Sequence, residues 1–353
     1  MLPTDQLPGR TLTVEGHEYL YFSGTSYLGI ARNELFAALV AEGMKRYGTN
    51  YSSSRLSNVQ LRIFEEAEEY LAGFAGAEAA LTMSSGYLAG QMVMQALRAN
   101  SHFIYAPGTH PAVWLEGAEI TGGQYAAWTV HLLKQIEAGW QENVVIVCNS
   151  LDPLLAQKHD FSWIHQLPAR SPITLLMDDS HGLGITGWDG AGIFSELVVP
   201  AHIRLIVVSS LGKALGIPGG VVLADKVFIE QLRASPFFGA SSPVIPAYLH
   251  AFLQSEDIYK QARQRLFANT QRFSAQVSAS GLFQTFPHYP VFYTPANELY
   301  PYLKENGVLI SSFPYPLVQD ECVTRVVLSS LHTPQDVDQL SGLIVSFSSS
   351  IDF

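Results

Sequence analysis

Positive charge is scarce in this chain. Of its 353 residues, 20 are Lys or Arg and 31 are Asp or Glu, so the formal net charge is −11 at pH 7, and no run of basic residues occurs. Proteins that bind nucleic acid need a basic patch or stripe to neutralise phosphates. The charge balance therefore argues against nucleic acid as a partner.

Cysteine and long apolar runs are also lacking. Two cysteines, Cys148 and Cys322, fit neither a disulfide framework nor a metal cluster, which favours a reducing compartment. The uncharged stretch 79–97 is almost long enough to cross a membrane, but a Ser-Ser-Gly turn and two glutamines interrupt it. The N-terminus lacks the layout of a signal peptide. We expect a soluble, cytoplasmic protein with no metal and no membrane partner.

Hydrophobic residues, at 48% of the chain, are numerous enough for a large core and two unequal domains. Short β-branched runs alternate with amphipathic stretches such as 63–74, which has helical spacing. The runs indicate buried parallel strands at 144–147, 174–177, 205–208 and 221–223. This alternation predicts an α/β fold with a doubly wound, mostly parallel sheet.

The pattern changes after about Pro246. It predicts a long polar helix over 257–280, short strands near 291–293, 308–310 and 325–328, and a last helix from Thr333–Pro334. We interpret this part as a smaller α+β domain. The predicted boundaries are 1–32 for an N-terminal segment packing with the small domain, 33–248 for the large domain and 249–353 for the small one.

A single charge, Lys213, interrupts the apolar run from Leu205 to Leu223. An ammonium group is costly to leave in apolar surroundings, and a desolvated lysine amine is the group that forms a Schiff base with an aldehyde cofactor. A lysine taken alone more often lies at the mouth of a strand with its ammonium in water. The other residues that such a cofactor needs decide between these interpretations.

Two acids and a histidine follow the predicted strand 174–177. Asp178 and Asp179 should point to opposite faces because strand residues alternate. Asp178 is the candidate partner of a pyridine nitrogen, where a carboxylate keeps the ring protonated and electron-accepting. A turn cap or a solvent-exposed side chain is plausible for Asp179. His181 is a candidate donor to a cofactor hydroxyl, although a lone histidine is usually structural.

Two glycine-containing segments have opposite interpretations. Gly182–Gly187 matches the dinucleotide motif G-x-G-x-x-G, but a helix-breaking sequence follows and no acidic residue lies about twenty positions on, so a nicotinamide site is not expected. By contrast, Ser84–Tyr87 precedes an apolar helical stretch at 88–97, and a helix N-terminus binds anions. An ordinary helix N-cap is the alternative for this turn.

Segments along nearly the whole chain, in the same order, resemble one family. Ser210–Gly220 is similar to T-L-S-K-A-F-G-x-x-G-G, and Asp178–Gly187 is similar to D-E-A-H-G-x-G-x-x-G. The family is the α-oxoamine synthases, fold-type I pyridoxal-phosphate enzymes that include 8-amino-7-oxononanoate synthase and glycine C-acetyltransferase. Further matching segments are Phe22–Gly29 (F-S-S-N-D-Y-L-G), Ser84–Gly90 (S-S-G-Y-x-A-N), Thr109–Ala112 (N-H-A-S), Ser150–Asp152 (S-M-D), Ser241–Ala247 (S-T-x-x-P-P-A) and Arg325–Thr333 (R-x-x-x-x-x-x-H-T).

The resemblance implies pyridoxal phosphate as the cofactor and a role for each matching residue. Lys213 would form the Schiff base, Asp178 would pair with the pyridine nitrogen, and Arg325 would bind the substrate carboxylate. Ser241 and Ser242 would reach the phosphate of a partner subunit, in a homodimer with shared active sites. The remaining cofactor contacts implied are His110 stacked on the ring, His181 and Ser150 near the ring hydroxyl, and Ser85, Gly86, Tyr87 and Ser210 on the phosphate side and around the lysine.

The implied reaction condenses an α-amino acid with an acyl-CoA thioester, with loss of carbon dioxide. Lys213 would remove the α-proton, with His110, Asp178 and His181 as the other catalytic residues. The chain departs from the family pattern at Gly90, which replaces an asparagine, and at 53–59, which lacks glycines of G-S-R-L-x-S-G. Two alternatives therefore stay open: a pyridoxal-phosphate aminotransferase of class I/II, and a non-catalytic protein on the same fold.

Overall fold

A computed structural model describes residues 3–99, 101–120, 122–138, 143–169, 172–315 and 318–350. The strands within these residues are β1 Thr11–Val14, β2 His17–Phe22, β3 Ala79–Met83, β4 Ser101–Tyr105, β5 Asn143–Asn149, β6 Leu151–Asp152, β7 Gln157–Lys158, β8 Ile173–Asp178, β9 Ile203–Ser210, β10 Gly220–Ala224, β11 Val291–Thr294, β12 Val308–Pro314 and β13 Cys322–Val327. The α-helices are α1 Glu34–Tyr47, α2 Arg62–Ala75, α3 Gly86–Leu97, α4 Tyr125–Ala138, α5 Lys226–Arg233, α6 Pro236–Ala240, α7 Pro246–Leu253, α8 Glu256–Val277, α9 Leu299–Glu305 and α10 Pro334–Ser350.

The chain divides into two compact units. The larger comprises 34–151 and 158–256, and the smaller comprises 1–33, 152–157 and 257–353. The predicted domain boundaries at residues 32 and 248 stay a prediction.

The larger unit is built on a six-stranded sheet with the order β3-β10-β9-β8-β5-β4. The parallel pairs are β4 with β5, β5 with β8, and β8 with β9. The central strands are buried along almost their whole length, and Val145, Val147, Leu176 and Ile206 belong to one core cluster. Each such side chain contributes about 1.5–3 kcal/mol through its burial. The predicted α/β fold with a mostly parallel sheet is confirmed.

One strand runs against the prediction. Val221–Leu223, expected to be parallel, belongs to β10, which pairs antiparallel with both β9 and β3. The link from β9 to β10, residues 211–219, is too short for a crossover connection, which needs a dozen or more residues between parallel neighbours. The reversal leaves β3 and β9 parallel to each other on either side of β10.

A buried ion cluster joins α2 to the sheet and to α5. The Glu68 carboxylate, 2% exposed, accepts hydrogen bonds from Arg55 Nη1 at 2.8 Å, from Arg233 Nη2 at 2.6 Å and from the Thr82 backbone N–H at 2.8 Å. Burial raises the pKa of Glu68, but Arg55, Arg233 and Thr82 outweigh it and lower the pKa overall. The predicted helix over 63–74 is confirmed as α2. Its C-cap is Gly76, which lies in the left-handed region at φ 77°.

The smaller unit contains a five-stranded sheet with the order β1-β2-β12-β13-β11, in which only β2 and β12 pair in parallel. The long helix, the three short strands and the last helix that the sequence predicts are confirmed as α8, β11 to β13 and α10. None of the helices in the described part of the chain is long and apolar enough to cross a membrane.

Candidate active site

Four of the predicted site residues of the larger unit lie at or after the carboxyl ends of neighbouring strands. His110 comes after β4, Ser150 directly follows β5, Asp178 ends β8 and Ser210 ends β9. Parallel strands end at one edge of a sheet, which is where open α/β sheets bind ligands. Two hydrogen bonds connect these ends: the Ser150 N–H donates to Asp178 O at 2.9 Å, and the Ser210 N–H donates to Ser180 Oγ at 2.8 Å.

Lys213 lies in the turn between β9 and β10, and its side chain points to the β8 turn. Its Nζ is 2.8 Å from His181 Nε2, and both residues are half-buried. Hydrogen bonds from Leu211 N to Gly219 O and from Ile217 N to Leu211 O, each 2.9 Å, fix the turn around the lysine. The amine is thus held beside an imidazole rather than released into solvent.

His110 lies close to the Asp178 carboxylate, with 4.0 Å between Nδ1 and Oδ2. The His110 Nδ1 accepts a hydrogen bond from the Ala112 N–H at 3.1 Å, so the neutral ring carries its proton on Nε2. Burial lowers the pKa of His110, Asp178 acts against this and Lys213 reinforces it. The Asp178 side chain is almost buried and accepts from the Ser180 N–H at 2.9 Å through Oδ1.

The loop that carries His110 is held from two sides by residues that the sequence analysis missed. Asn149 Oδ1 accepts from the His110 N–H at 3.3 Å, and Asn149 Nδ2 donates to Gly108 O at 2.7 Å. From α3, Gln91 Nε2 donates to Ala112 O at 3.0 Å. A side chain at Gly90 would collide with Ala112 O, so glycine at this departure from the family pattern permits close approach of α3 to the loop.

Of the two alternatives predicted for Asp179, a turn cap or a solvent-exposed side chain, the structure excludes the exposed side chain. Asp179 is 1% exposed, and its Oδ2 accepts from the Ile193 N–H at 2.9 Å. Burial raises the pKa of Asp179 to about 7, and the Asp178 and Glu196 charges add to this increase. The hydrogen bond from the Ile193 N–H and the nearby Ser150 hydroxyl act against it. The alternation of side chains along a strand predicts that Asp178 and Asp179 point in opposite directions. It does not predict which of the two side chains the rest of the protein covers.

The predicted phosphate turn begins a helix. Ser85 is the N-cap of α3, and its Oγ accepts from the Leu88 N–H at 3.1 Å, so the N-cap alternative and the helix N-terminus are both realised. A Cβ at Gly86 would lie 2.7 Å from Ser210 Cβ, which places the first turn of α3 directly against the end of β9. Tyr87 is 59% exposed.

The dinucleotide-like segment opens no helix, as predicted. Gly184 and Gly187 have φ values of 91° and 78°, and 3-10 turns at Trp188–Gly190 and Ile193–Ser195 follow. The glycines therefore make a tight loop, in which Gly184 N donates to Gly190 O at 2.7 Å.

Two other predicted site residues of the larger unit are not brought to the cluster by any contact described. Ser241 is the C-cap of α6, and its Oγ donates to Phe237 O at 2.6 Å. Ser242 is exposed. Their role at a partner's phosphate stays a prediction.

Arg325 belongs to the smaller unit, on β13. It is 6% exposed, its Nη1 donates to Pro153 O at 2.6 Å, and its Nε has no hydrogen-bond partner among the described residues. Near it, Tyr27 and Tyr289 are fully buried; burial raises the pKa of Tyr27 to about 12, and the Arg325 charge works against that increase. A guanidinium with an unused N–H suits a planar carboxylate.

The cluster in the larger unit offers the chemistry that pyridoxal phosphate requires. Lys213 supplies an amine for an aldehyde, Asp178 a carboxylate for a pyridine nitrogen, and His181 a donor for a ring hydroxyl. The Ser150 Oγ is buried without a partner of good geometry among the described residues. The first turn of α3 supplies backbone N–H groups for a phosphate. The residues present therefore fit this group.

The fold and the cluster together define a class of protein. It is an α/β protein that has a lysine, an aspartate and two histidines at the carboxyl edge of its sheet. The chain belongs to the aminotransferase class I and II family, whose model matches residues 23–344. It is 29% identical over 350 residues to 8-amino-7-oxononanoate synthase of Nitrosomonas eutropha, covering 94% of this chain and 90% of that protein.

Solved structures share the fold. Serine palmitoyltransferase from S. paucimobilis, solved with a bound PLP-myriocin aldimine, has a TM-score of 0.84 at 17% identity and covers 99% of this chain and 94% of its own. The 8-amino-7-oxononanoate synthase of Francisella tularensis has a TM-score of 0.72 at 20% identity, covering 94% of this chain and 98% of its own. The predicted fold-type I architecture is confirmed by this likeness.

Proposed function

We propose that the protein is a pyridoxal-phosphate-dependent transferase that condenses an α-amino acid with an acyl-CoA thioester. The observation that carries the proposal is the contact of 2.8 Å between Lys213 Nζ and His181 Nε2, beside Asp178 and His110. The relatives named 8-amino-7-oxononanoate synthase, which match over most of the chain, support the acyl-transfer chemistry. A cytoplasmic location belongs to the same proposal.

The proposal gives each part of the cofactor to residues of the cluster. Lys213 would hold the aldehyde carbon, Asp178 the pyridine nitrogen, and His181 with Ser150 the ring hydroxyl. The first turn of α3, with Ser85 and Gly86, would hold the phosphate. His110 would lie against the ring. Pyridoxal phosphate, when bound, supplies an electron sink for the carbanion at the α-carbon of the amino acid.

The chemical steps use few protein groups. Lys213 Nζ, the amine that the proposal gives to the aldehyde carbon, would remove the α-proton, and His181 Nε2, 2.8 Å away, would orient it. Asp178 would keep the pyridine nitrogen protonated. Arg325 would bind the substrate carboxylate and fix the direction of the Cα–H bond. The α-carbon would then form a bond to the acyl carbon of the thioester, and CoA would leave as the thiolate. The carboxylate would leave as carbon dioxide, and a proton returned by Lys213 would take its place on the α-carbon.

An aminotransferase remains the second candidate, because the family that the chain belongs to carries that name. A panel of amino acids, incubated with and without acyl-CoA, separates the two. We expect free thiol to appear only when both substrates are present. Formation of a keto acid without acyl-CoA, with conversion of the cofactor to its amine form, would contradict the proposal.

We also propose a homodimer in which Ser241 and Ser242 contribute to the partner's site. Mixing a Lys213→Ala subunit with a Ser241→Ala/Ser242→Ala subunit tests this. If sites are shared, each heterodimer contains one site with both lesions and one intact site, and activity returns on mixing. A fully active monomer at high dilution would rule out shared sites.

A further inference from the structure

Asp179 is a buried acid that the proposed reaction leaves unused. It stands between Asp178 and the Ser180-His181 pair, in the turn that follows β8, and its side chain is 1% exposed. None of the ion pairs seen among the described residues includes it. A buried carboxylate without a cation is costly, so such a group tends to take up a proton.

The loop 182–192, called here the glycine loop, closes around the Asp179 side chain. Oδ2 accepts from the Ile193 N–H at 2.9 Å. A Cβ at Gly182 would collide with Oδ1, and a Cβ at Gly192 would collide with Oδ2. The carboxyl group is therefore packed between the two ends of the loop, with glycine on each side because no larger residue leaves room for it.

The backbone of Asp179 connects the same segments. Its N–H donates to Val208 O at 2.8 Å on β9, and its carbonyl accepts from the N–H groups of Gly182 at 3.0 Å and Leu183 at 2.9 Å. The Ser209 hydroxyl donates to this carbonyl at 3.3 Å. Displacement of Asp179 would move the turn that carries Asp178 and His181.

Within the described residues, the charged groups that act on Asp179 are both acidic. Asp178 and Glu196 add their repulsion to the effect of burial, which together hold the pKa of Asp179 near 7. Ser150 Oγ and Asp179 Oδ1 are each buried without a partner at good hydrogen-bond geometry in the described part of the chain, yet they lie close enough for the hydroxyl to lower this pKa. A proton on Oδ1 relieves both the repulsion and the desolvation.

We propose that Asp179 is a positioning residue: as an uncharged carboxylic acid it fastens the glycine loop to the end of β8, and so fixes Asp178 and His181 for the cofactor. This inference rests on the proposed function. Asp179 itself touches neither substrate nor cofactor. Asparagine reproduces the uncharged acid, because it keeps a carbonyl for the Ile193 N–H and presents N–H donors toward Ser150. Alanine removes both.

The first experiment measures the charge state without cofactor. Urea unfolding of wild type, Asp179→Asn and the control Asp189→Asn is followed from pH 5 to pH 8. Asp189 lies in the same loop but is exposed. With a pKa of about 7 in the folded protein against the usual 3.8 of an aspartate, the unfolding constant of wild type relative to Asp179→Asn should rise about fifty- to hundredfold over this range. A ratio that does not change with pH would overturn the proposal.

The second experiment measures positioning. Pyridoxal phosphate is titrated into wild type, Asp179→Asn and Asp179→Ala at pH 6, and binding is followed by the visible absorbance of the lysine-bound cofactor. We expect Asp179→Asn to bind within about threefold of wild type and Asp179→Ala to lose about tenfold or more. Wild-type affinity of the alanine variant, or equal loss in both variants, would overturn the role.

The two experiments distinguish failure of the proposed function from failure of the inference about Asp179. If wild type binds no pyridoxal phosphate, the proposed function falls and the positioning role falls with it, while the first experiment still reports the charge state of Asp179. If wild type binds the cofactor but the unfolding ratio does not change with pH, only the inference about Asp179 is overturned.

Discussion

Replacement of His332 by glutamine should remove a large part of the acid sensitivity of the protein. His332 is 4% exposed and stacks on Phe22, with ring centroids 3.9 Å apart. Its Nδ1 accepts from the Ser329 N–H at 3.0 Å, and its Nε2 lies 2.9 Å from Tyr21 O. This arrangement requires a neutral ring, since a proton on Nδ1 would face another N–H group.

The size of the effect follows from the pKa of His332, which burial lowers from 6.5 to about 4, against the hydrogen bond to Tyr21 O. Between these values the unfolded chain binds a proton that the folded chain does not, so stability falls as the pH falls. The full difference is worth roughly 3 kcal/mol at about 1.4 kcal/mol per pH unit. Between pH 7 and pH 5 the loss should be about 2 kcal/mol.

Urea unfolding at pH 7, 6 and 5 measures this loss. The matched control is His17→Gln, because His17 is exposed on β2, the strand that also carries Tyr21. Asp179 has the opposite pH dependence, so the quantity to follow is the difference between wild type and His332→Gln. We expect that difference to shrink by about 2 kcal/mol from pH 7 to pH 5. A constant difference would refute the argument that the neutral ring is built into the fold.

Three further substitutions test other parts of the structure. Asp178→Asn should lower activity by roughly 10- to 100-fold, because a neutral amide cannot hold a protonated nitrogen, whereas Asp179→Asn should cost far less in steady-state kinetics; equal losses would refute the assignment. Asn149→Ala should weaken cofactor binding by about 1–3 kcal/mol, because it releases the loop that carries His110. The control is Asn143→Ala, an exposed residue of the same strand, and unchanged affinity of Asn149→Ala would exclude a role of Asn149 in holding this loop. Glu68→Gln should destabilise the protein by about 3–5 kcal/mol in urea unfolding, because it leaves Arg55 and Arg233 without a buried partner; the exposed neighbour Glu69→Gln should have little effect, and equal effects would contradict the ion cluster.

Patterns that are local in the sequence predict much of this structure. The β-branched runs give β5, β8 and β9, and the helical spacing at 63–74 gives α2, because period and burial are properties of neighbouring residues. The positions of Asp178 and Ser210 at strand ends follow from the same strands, whereas β4, the strand before His110, was not predicted. The predicted direction of β10 was wrong because a continuous apolar run does not indicate strand direction. The short link between β9 and β10 could have indicated the antiparallel arrangement.

Features that depend on distant residues were missed. The two arginine partners of Glu68 lie 13 and 165 positions away, and no local pattern pairs either of them with this acid. The burial of Asp179 depends on the glycine loop folding back over it. Asn149 carried a usable signal, since it is a polar residue at the carboxyl end of a buried strand, immediately before Ser150.

Identification of the lysine that binds pyridoxal phosphate tests the account most directly. The protein is incubated with pyridoxal phosphate, reduced with borohydride and digested, and the labelled peptide is identified by mass spectrometry; Lys213→Ala and the exposed Lys158→Ala serve as the matched pair. We predict that the label lies on Lys213, that Lys158→Ala keeps it and that Lys213→Ala loses it. A label on another lysine, or none on the wild-type protein, would contradict the site proposed for the carboxyl edge of the sheet.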